Sequence, residues 1–250
     1  MRIVVFGGTD LIGSRLVRAL RRIGEDPVVA ARSTGVDILI GAGVARVLEG
    51  TDVVVDATDP GYSAGAEMQR FFEVAGATLL ALERHAGVAH HITFSAIGSD
   101  RITSGYYRAK TAQEALVVNS AIPFTIVRSA PLFEYIYRIV GAQRDSATVR
   151  VPPVRLRPIA ADDAARALSR VAVGAPENAI VELAGPDTYA LSSLAGQILT
   201  AGEDLRPLIV DAYAPFFDTR IVNEPLTGGM YPQLGDTQFE DWVHRSLVAA

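Results

Sequence analysis

Cysteine is absent from the 250 residues. That excludes disulfides, thiolate catalysis and cysteine-based zinc sites, and it is compatible with a reducing compartment. Histidine is scarce: His85, His90, His91 and His244 have no metal-ligand spacing, so they are read as structural or solvent-facing and no metal site is expected. An excess of base is also lacking, with 23 Lys and Arg against 28 Asp and Glu and a net charge of −5. A broad basic face for nucleic acid or acidic lipid is therefore not expected. No apolar run approaches the roughly 20 residues that span a bilayer. The opening "MRIVVF" is strand-like and lacks the basic start, apolar stretch and cleavage site of a signal peptide. A cytoplasmic location is the resulting expectation. The 49% of apolar residues suffice for a sizeable globular core.

Short β-branched runs alternate with helical patterns. "RIVVF" (2–6), "PVVAA" (27–31), "DVVVDAT" (52–58), "HITFSA" (91–96) and "PFTIVRS" (123–129) read as strands. Between them lie helical patterns at 11–24, 43–49, 63–87 and 107–120. This succession predicts an α/β fold, a Rossmann-type doubly wound parallel sheet. Beyond about residue 130 the rhythm loosens, through aromatic-rich "PLFEYIYRIV" and proline-bearing "VRVPPVRLRPIA" (149–160), a connecting or edge segment. Helices follow at 161–173 and 191–201 and in "QFEDWVHRSLVA", with a strand at 178–185. The expected division is a core at 1–130 and a small C-terminal α/β substrate region at 131–250, folded onto the core at the carboxyl ends of the strands.

The first strand runs into "FGGTDLIGS". In a dinucleotide-binding turn a glycine at Gly7 permits the tight turn and one at Gly13 permits close helix packing. The intervening Thr9, Leu11 and Ile12 bring backbone N–H groups and the helix N-terminus toward a pyrophosphate. Asp10 stands where the middle glycine is expected. A carboxylate there suits an empty helix N-terminus and could cap it. It also opposes a phosphate: two like charges about 4 Å apart repel by about 4 kcal/mol at an effective dielectric of 20. The second strand ends with Arg32, Ser33 and Thr34, a cation and two hydroxyls where an NAD site carries an acid. The cofactor expected is NADP.

Ser95 closes the fourth strand, and Tyr106 and Lys110 share one helix face at i, i+4. An ammonium beside a phenol lowers its pKa and makes a usable acid, while a serine hydroxyl can hold a substrate oxygen. This is equipment for reducing a carbonyl. Ser99, Thr103 and Ser104 are alternatives to Ser95, because the interval to Tyr106 is short. Phe133, Tyr135 and Tyr137 form either an aromatic wall for a flat substrate or core packing. Asp162 and Asp163 are expected to cap the following helix. "GYSAG" (61–65) matches a nucleophile elbow, but "DPG" separates it from its strand, so a polar loop is the preferred reading.

"FGGTDLIGS", "VVVDAT", "HHITFSAIGSD", "YYRAKTAQEALVVNSAIPFTIVRSA" and "RPIAADDAARAL" together resemble the short-chain dehydrogenase/reductase superfamily, in its atypical NmrA-like and isoflavone-reductase-like branch. The resemblance covers roughly residues 1–185. It implies an NADP-binding domain with a small substrate region. Tyr106 would be the acid, Lys110 would hold the nicotinamide ribose, Ser95 would polarise the substrate and Thr58 would lie near the cofactor. The activity implied is reduction of a carbonyl or enone on a small, aromatic or polyketide-like molecule of secondary metabolism. The alternatives are a non-redox cyclase, isomerase or lyase in the same cleft, favoured by Asp10, and a nucleotide-sensing regulator without catalysis.

Overall fold

The computed structural model describes residues 1–61, 65–143, 146–216, 218–221 and 224–248. "GYSAG" falls partly outside them, Ser63 included. The first half follows the sequence pattern closely: β1 (Ile3–Phe6), α1 (Leu11–Arg22), β2 (Val28–Ala30), α2 (Val44–Leu48), β3 (Val53–Asp56), α3 (Gly65–Ala86), β4 (His90–Ala96), α4 (Gly105–Val118) and β5 (Phe124–Ser129). The second half adds α5 (Phe133–Gly141), β6 (Val149–Val151), β7 (Arg155–Leu156), α6 (Ala161–Val173), β8 (Ala179–Ala184), β9 (Tyr189–Ala190), α7 (Leu191–Ala201), β10 (Leu208–Val210), β11 (Gln233–Leu234) and α8 (Phe239–Val248).

Seven strands form one parallel sheet in the order β11-β8-β5-β4-β3-β1-β2. The protein has the Rossmann-type α/β fold. The strands are continuously apolar because helices cover both faces. Ile3, Val5, Val53 and Val55 meet α1 and α6, whereas Val4, Phe6 and Val54 meet α2 and α3. The chain leaves β1 toward β2 and returns to β3 on the other side. The order therefore reverses between β1 and β3, and a crevice opens at their carboxyl ends, where such sheets bind ligands. β8, β11 and α6, all beyond residue 130, belong to this central layer.

The remaining second-half elements build a separate apolar cluster from α5, α7 and α8, with β6–β10 and β7–β9 as two-stranded sheets. The prolines of 149–160 flank these short edges, as their missing N–H groups require. "PLFEYIYRIV" becomes α5. Its buried face, Phe133, Ile136 and Val140, has helical spacing that the aromatic content obscured. Asp162 and Asp163 do not cap α6, whose N-cap is Ala160. The first-turn N–H of Ala161 instead meets Glu134 at 3.1 Å. Asp163 is buried and accepts from Thr237 N and Oγ1 at 2.8 and 3.0 Å, tethering the C-terminal segment. Asp162 lies on the surface, 3.4 Å from Arg15 and 3.7 Å from Arg18. No helix among the described residues is long and apolar enough to cross a membrane.

Candidate functional site

The glycine loop is built by close backbone approach. Gly7 has φ +69°, and a Cβ there would lie 2.6 Å from the Ala57 carbonyl oxygen, at the end of β3. Only glycine tolerates both. A Cβ on Gly13 would overlap the Gly7 carbonyl, so Gly13 lets α1 close against the loop itself. Asp10 is the N-cap of α1 by backbone, and its carboxylate takes no capping hydrogen bond. The Asp10 side chain does not bond the first-turn N–H groups, unlike the cap its position suggested. Burial, then the nearby Asp59 carboxylate, raises the Asp10 pKa.

Beside this loop lies a cleft of about 420 Å³ lined by Gly7, Thr9, Asp10, Arg32, Ser33 and Thr58, with Asp37, Asp59 and Phe71 among the other walls. Six residues expected to hold a cofactor thus meet in one crevice. Ile12 and Gly13 are buried behind it, and Leu11 packs partly against the core. Thr34 turns away: its hydroxyl donates to Ala31 O at 2.9 Å and accepts from Ala31 N at 3.0 Å, closing the turn after β2. Arg32 is exposed and lies 3.3 Å from Asp37. The Thr58 hydroxyl donates to Asp56 at 2.7 Å. The loop geometry and the uncapped helix start suit a dinucleotide; Asp10 is the feature that resists its phosphates.

At the ends of β4 and β5 a second cavity, about 30 Å³, is lined by Ser95, Tyr106, Tyr107, Ser129, Leu132 and Tyr135, among others. Ser95 and Tyr106 therefore line one cavity. Ser99 is buried 3.5 Å from Ser95 and donates to Ala96 O at 2.7 Å. Thr103 and Ser104 lie at the surface before α4.

Lys110 departs from the expected arrangement. It is buried, donates to Phe94 O at 2.9 Å and Gln113 Oε1 at 2.8 Å, and stands over the Phe72 ring at 4.2 Å. It lines neither cavity. Gln113 continues to Asp56 at 2.8 Å. Burial pushes the Lys110 pKa down to about 8. The Tyr106 pKa is raised, first by burial and then by the Asp59 and Glu114 carboxylates. The lowered phenol expected from the Tyr-x-x-x-Lys spacing is not found, because burial and the two carboxylates all favour the neutral form.

The aromatic triplet separates. Phe133 is in the core, 5.0 Å from the Phe239 ring and 5.6 Å from Trp242. Tyr137 packs edge-on to Trp242 at 6.2 Å and lines a different surface hollow with Ile198 and Arg206. Tyr135 alone reaches the small cavity, and its hydroxyl donates to Asp59 at 2.5 Å. The bond joins α5 to the loop after β3, between the two cavities.

Two further residues, Glu114 and Asp59, had no clear signal in the sequence. Glu114 accepts from Ser95 Oγ at 2.5 Å and takes a bidentate ion pair from Arg128 at 2.6 and 3.0 Å. Its i, i+4 spacing from Lys110 suggests a surface pair, yet both are buried with different partners. Asp59 is only an acid after a strand until Tyr135 is folded against it. The two histidines of β4 take different partners: His90 meets Thr125 at 2.9 Å, and His91 meets Glu83 and Thr93, each at 2.8 Å. No group of three metal-ligating side chains occurs among the described residues.

A family model described as NAD(P)H-binding matches residues 14–167. The chain belongs to this NAD(P)H-binding family. No curated protein matches the chain. Among solved structures it is similar to a UDP-N-acetylglucosamine 4-epimerase from Bacillus cereus, at TM-score 0.73 and 15% identity, over 100% of this chain and 96% of that one. A UDP-glucuronic acid 4-epimerase from Bacillus cereus, in complex with UDP-glucuronic acid and NAD, gives 0.75 and 14% over 99% and 98%. An NAD-dependent NDP-hexosamine 5,6-dehydratase involved in tunicamycin biosynthesis gives 0.74 and 16% over 99% and 96%. These likenesses establish the fold. Together with the family they agree with the short-chain dehydrogenase/reductase resemblance.

Proposed function

We propose that this protein is a cytoplasmic NADP-dependent oxidoreductase of the NmrA-like branch, reducing a carbonyl or enone on a small, aromatic or polyketide-like molecule. The observation that carries the proposal is the convergence of Gly7, Thr9, Asp10, Arg32, Ser33 and Thr58 on one cleft beside the cavity that holds Ser95 and Tyr106. A bound nicotinamide would supply the hydride. Backbone N–H groups at the start of α1 would face its pyrophosphate, and Arg32 with Ser33 would meet a 2′-phosphate. Tyr106, a neutral phenol at physiological pH, holds the proton for the substrate oxygen. Tyr135, in the wall of that cavity, donates to Asp59, in the wall of the cleft.

The sequestration of Lys110 favours a second reading, a non-redox cyclase, isomerase or lyase using Tyr106 in the same cavity. Calorimetric titration separates the two. The proposal expects NADPH to bind at least tenfold more tightly than NADH, with the preference lost in Arg32→Ala. Binding of neither nucleotide overturns it in favour of non-redox chemistry. Equal binding of both overturns the choice of NADP.

A further inference from the structure

The hydrogen-bond polarity of the small cavity is set from outside it. Three hydroxyls of its wall send their protons away. Ser95 donates to Glu114 at 2.5 Å, Tyr135 donates to Asp59 at 2.5 Å, and Ser129 donates to the Ala130 carbonyl at 2.9 Å. The backbone N–H groups of Ile97 and Ala130, also in the wall, are taken up by Ser129 O and Leu183 O at 2.9 and 2.8 Å. A hydroxyl carries one proton and two lone pairs, so a hydroxyl whose proton is committed meets a ligand as an acceptor. Glu114 is held in place by the bidentate Arg128 pair and has no proton to return to Ser95 while that pair is ionised.

We propose that Glu114 is a positioning residue that fixes Ser95 as a hydrogen-bond acceptor, so that the cavity selects the hydroxyl of an alcohol over the carbonyl of the same skeleton. Asp59 does the same for the proton of Tyr135. A carbonyl oxygen brings only lone pairs, and set against Ser95 it meets another acceptor. An alcohol donates to Ser95, which a carbonyl cannot do. The cavity, at about 30 Å³, has room for one such group, with the rest of the molecule lying toward the cleft. The inference rests on the proposed function only in taking this cavity as the seat of the reacting group. Within a carbonyl and alcohol couple, the alcohol is the tighter ligand.

The test is titration of the full chain by NMR with racemic 1-phenylethanol and with acetophenone, which differ at one functional group. One hydrogen bond corresponds to a preference of roughly threefold to tenfold for the alcohol. Ser95→Ala is expected to weaken the alcohol by that factor and not to weaken the ketone. Glu114→Gln, whose amide N–H competes for the Ser95 oxygen, is expected to bring the ratio below about twofold. Asp59→Ala, on an exposed loop and independent of the core, is expected to strengthen the ketone by releasing the Tyr135 proton. A purely structural role for these residues would move both ligands together and leave the ratio unchanged. Equal or tighter binding of acetophenone by the wild type, a Ser95→Ala loss that falls on the ketone, or no binding of either ligand overturns the inference. NADPH titration is run separately, so failure of cofactor binding removes the proposed redox chemistry while the alcohol ratio is decided on its own.

Discussion

Gly13→Ala and Gly196→Ala place the same methyl group in two helices with opposite expected results. At Gly13 the added Cβ would overlap the Gly7 carbonyl oxygen and lie 2.7 Å from its carbon and 2.8 Å from Gly8 Cα. Ordinary contact begins near 3.4 Å, so α1 must retreat by about 0.7 Å or more from a loop that is all backbone. No side-chain rotamer can absorb that shift. Overpacking of this kind costs about 1–3 kcal/mol, with the upper end appropriate here, and the gain in helix propensity returns about 1 kcal/mol at most. A net loss of about 2 kcal/mol is expected, or about 4–8 °C in Tm for a chain of this size. At Gly196, in α7, the nearest atom is Leu208 Cδ2 at 3.9 Å, so alanine there is expected to stabilise by about 0.5–1 kcal/mol. Urea unfolding, with the m-value checked for constancy, reads both. Gly13→Ala should also weaken NADPH binding, because the loop it displaces forms one wall of the cleft. A Gly13→Ala protein as stable as wild type, or two variants that shift in the same direction, would refute the close approach of α1 to the loop.

Three other outcomes follow from charge and burial. Burial and Asp59 already raise the Asp10 pKa, and an arriving pyrophosphate raises it further. NADPH binding should therefore take up a proton and tighten as pH falls from neutral, and Asp10→Asn should bind more tightly at pH 8 and lose that part of the pH dependence; calorimetry in buffers of different ionisation enthalpy measures the uptake. Burial, then His91, pushes the His90 pKa down from 6.5 to about 4. Its contribution to stability is present above pH 6.5 and is lost as pH falls toward 4, by up to about 3 kcal/mol, so His90→Gln should show a shallower decline in stability across that window in urea. Arg128→Met leaves the Glu114 carboxylate buried without its partner and should cost about 3–5 kcal/mol by the same measurement.

Much of the fold is legible in sequence because its cause is local. Continuous apolar runs mark strands covered on both faces, and the 3.6-residue period marks α1, α6 and α7, where each buried face is read from residues within two turns. The glycine loop is legible for the same reason, since a tight turn between a strand and a helix limits which residues can occupy it. Spacing also places Tyr106 and Lys110 on one helix face. It does not say what that face packs against, and for Lys110 the answer is Phe72, Gln113 and the Phe94 carbonyl rather than an open cleft. α5 was masked by its aromatic residues. Whether Phe133 lines a cleft or a core depends on Phe239 and Trp242, about a hundred residues further along.

The sequence by itself determined the class of fold, the glycine turn between β1 and α1 and the types of chemical group near it, because periodicity and turn geometry depend on neighbours in the chain. The tertiary structure alone decided how those groups behave. Which way a hydroxyl proton points depends on an acceptor 76 positions away, as for Tyr135 and Asp59, or 19 away, as for Ser95 and Glu114. Whether a phenol is a strong or a weak acid depends on desolvation, which exists only once the chain has closed around it.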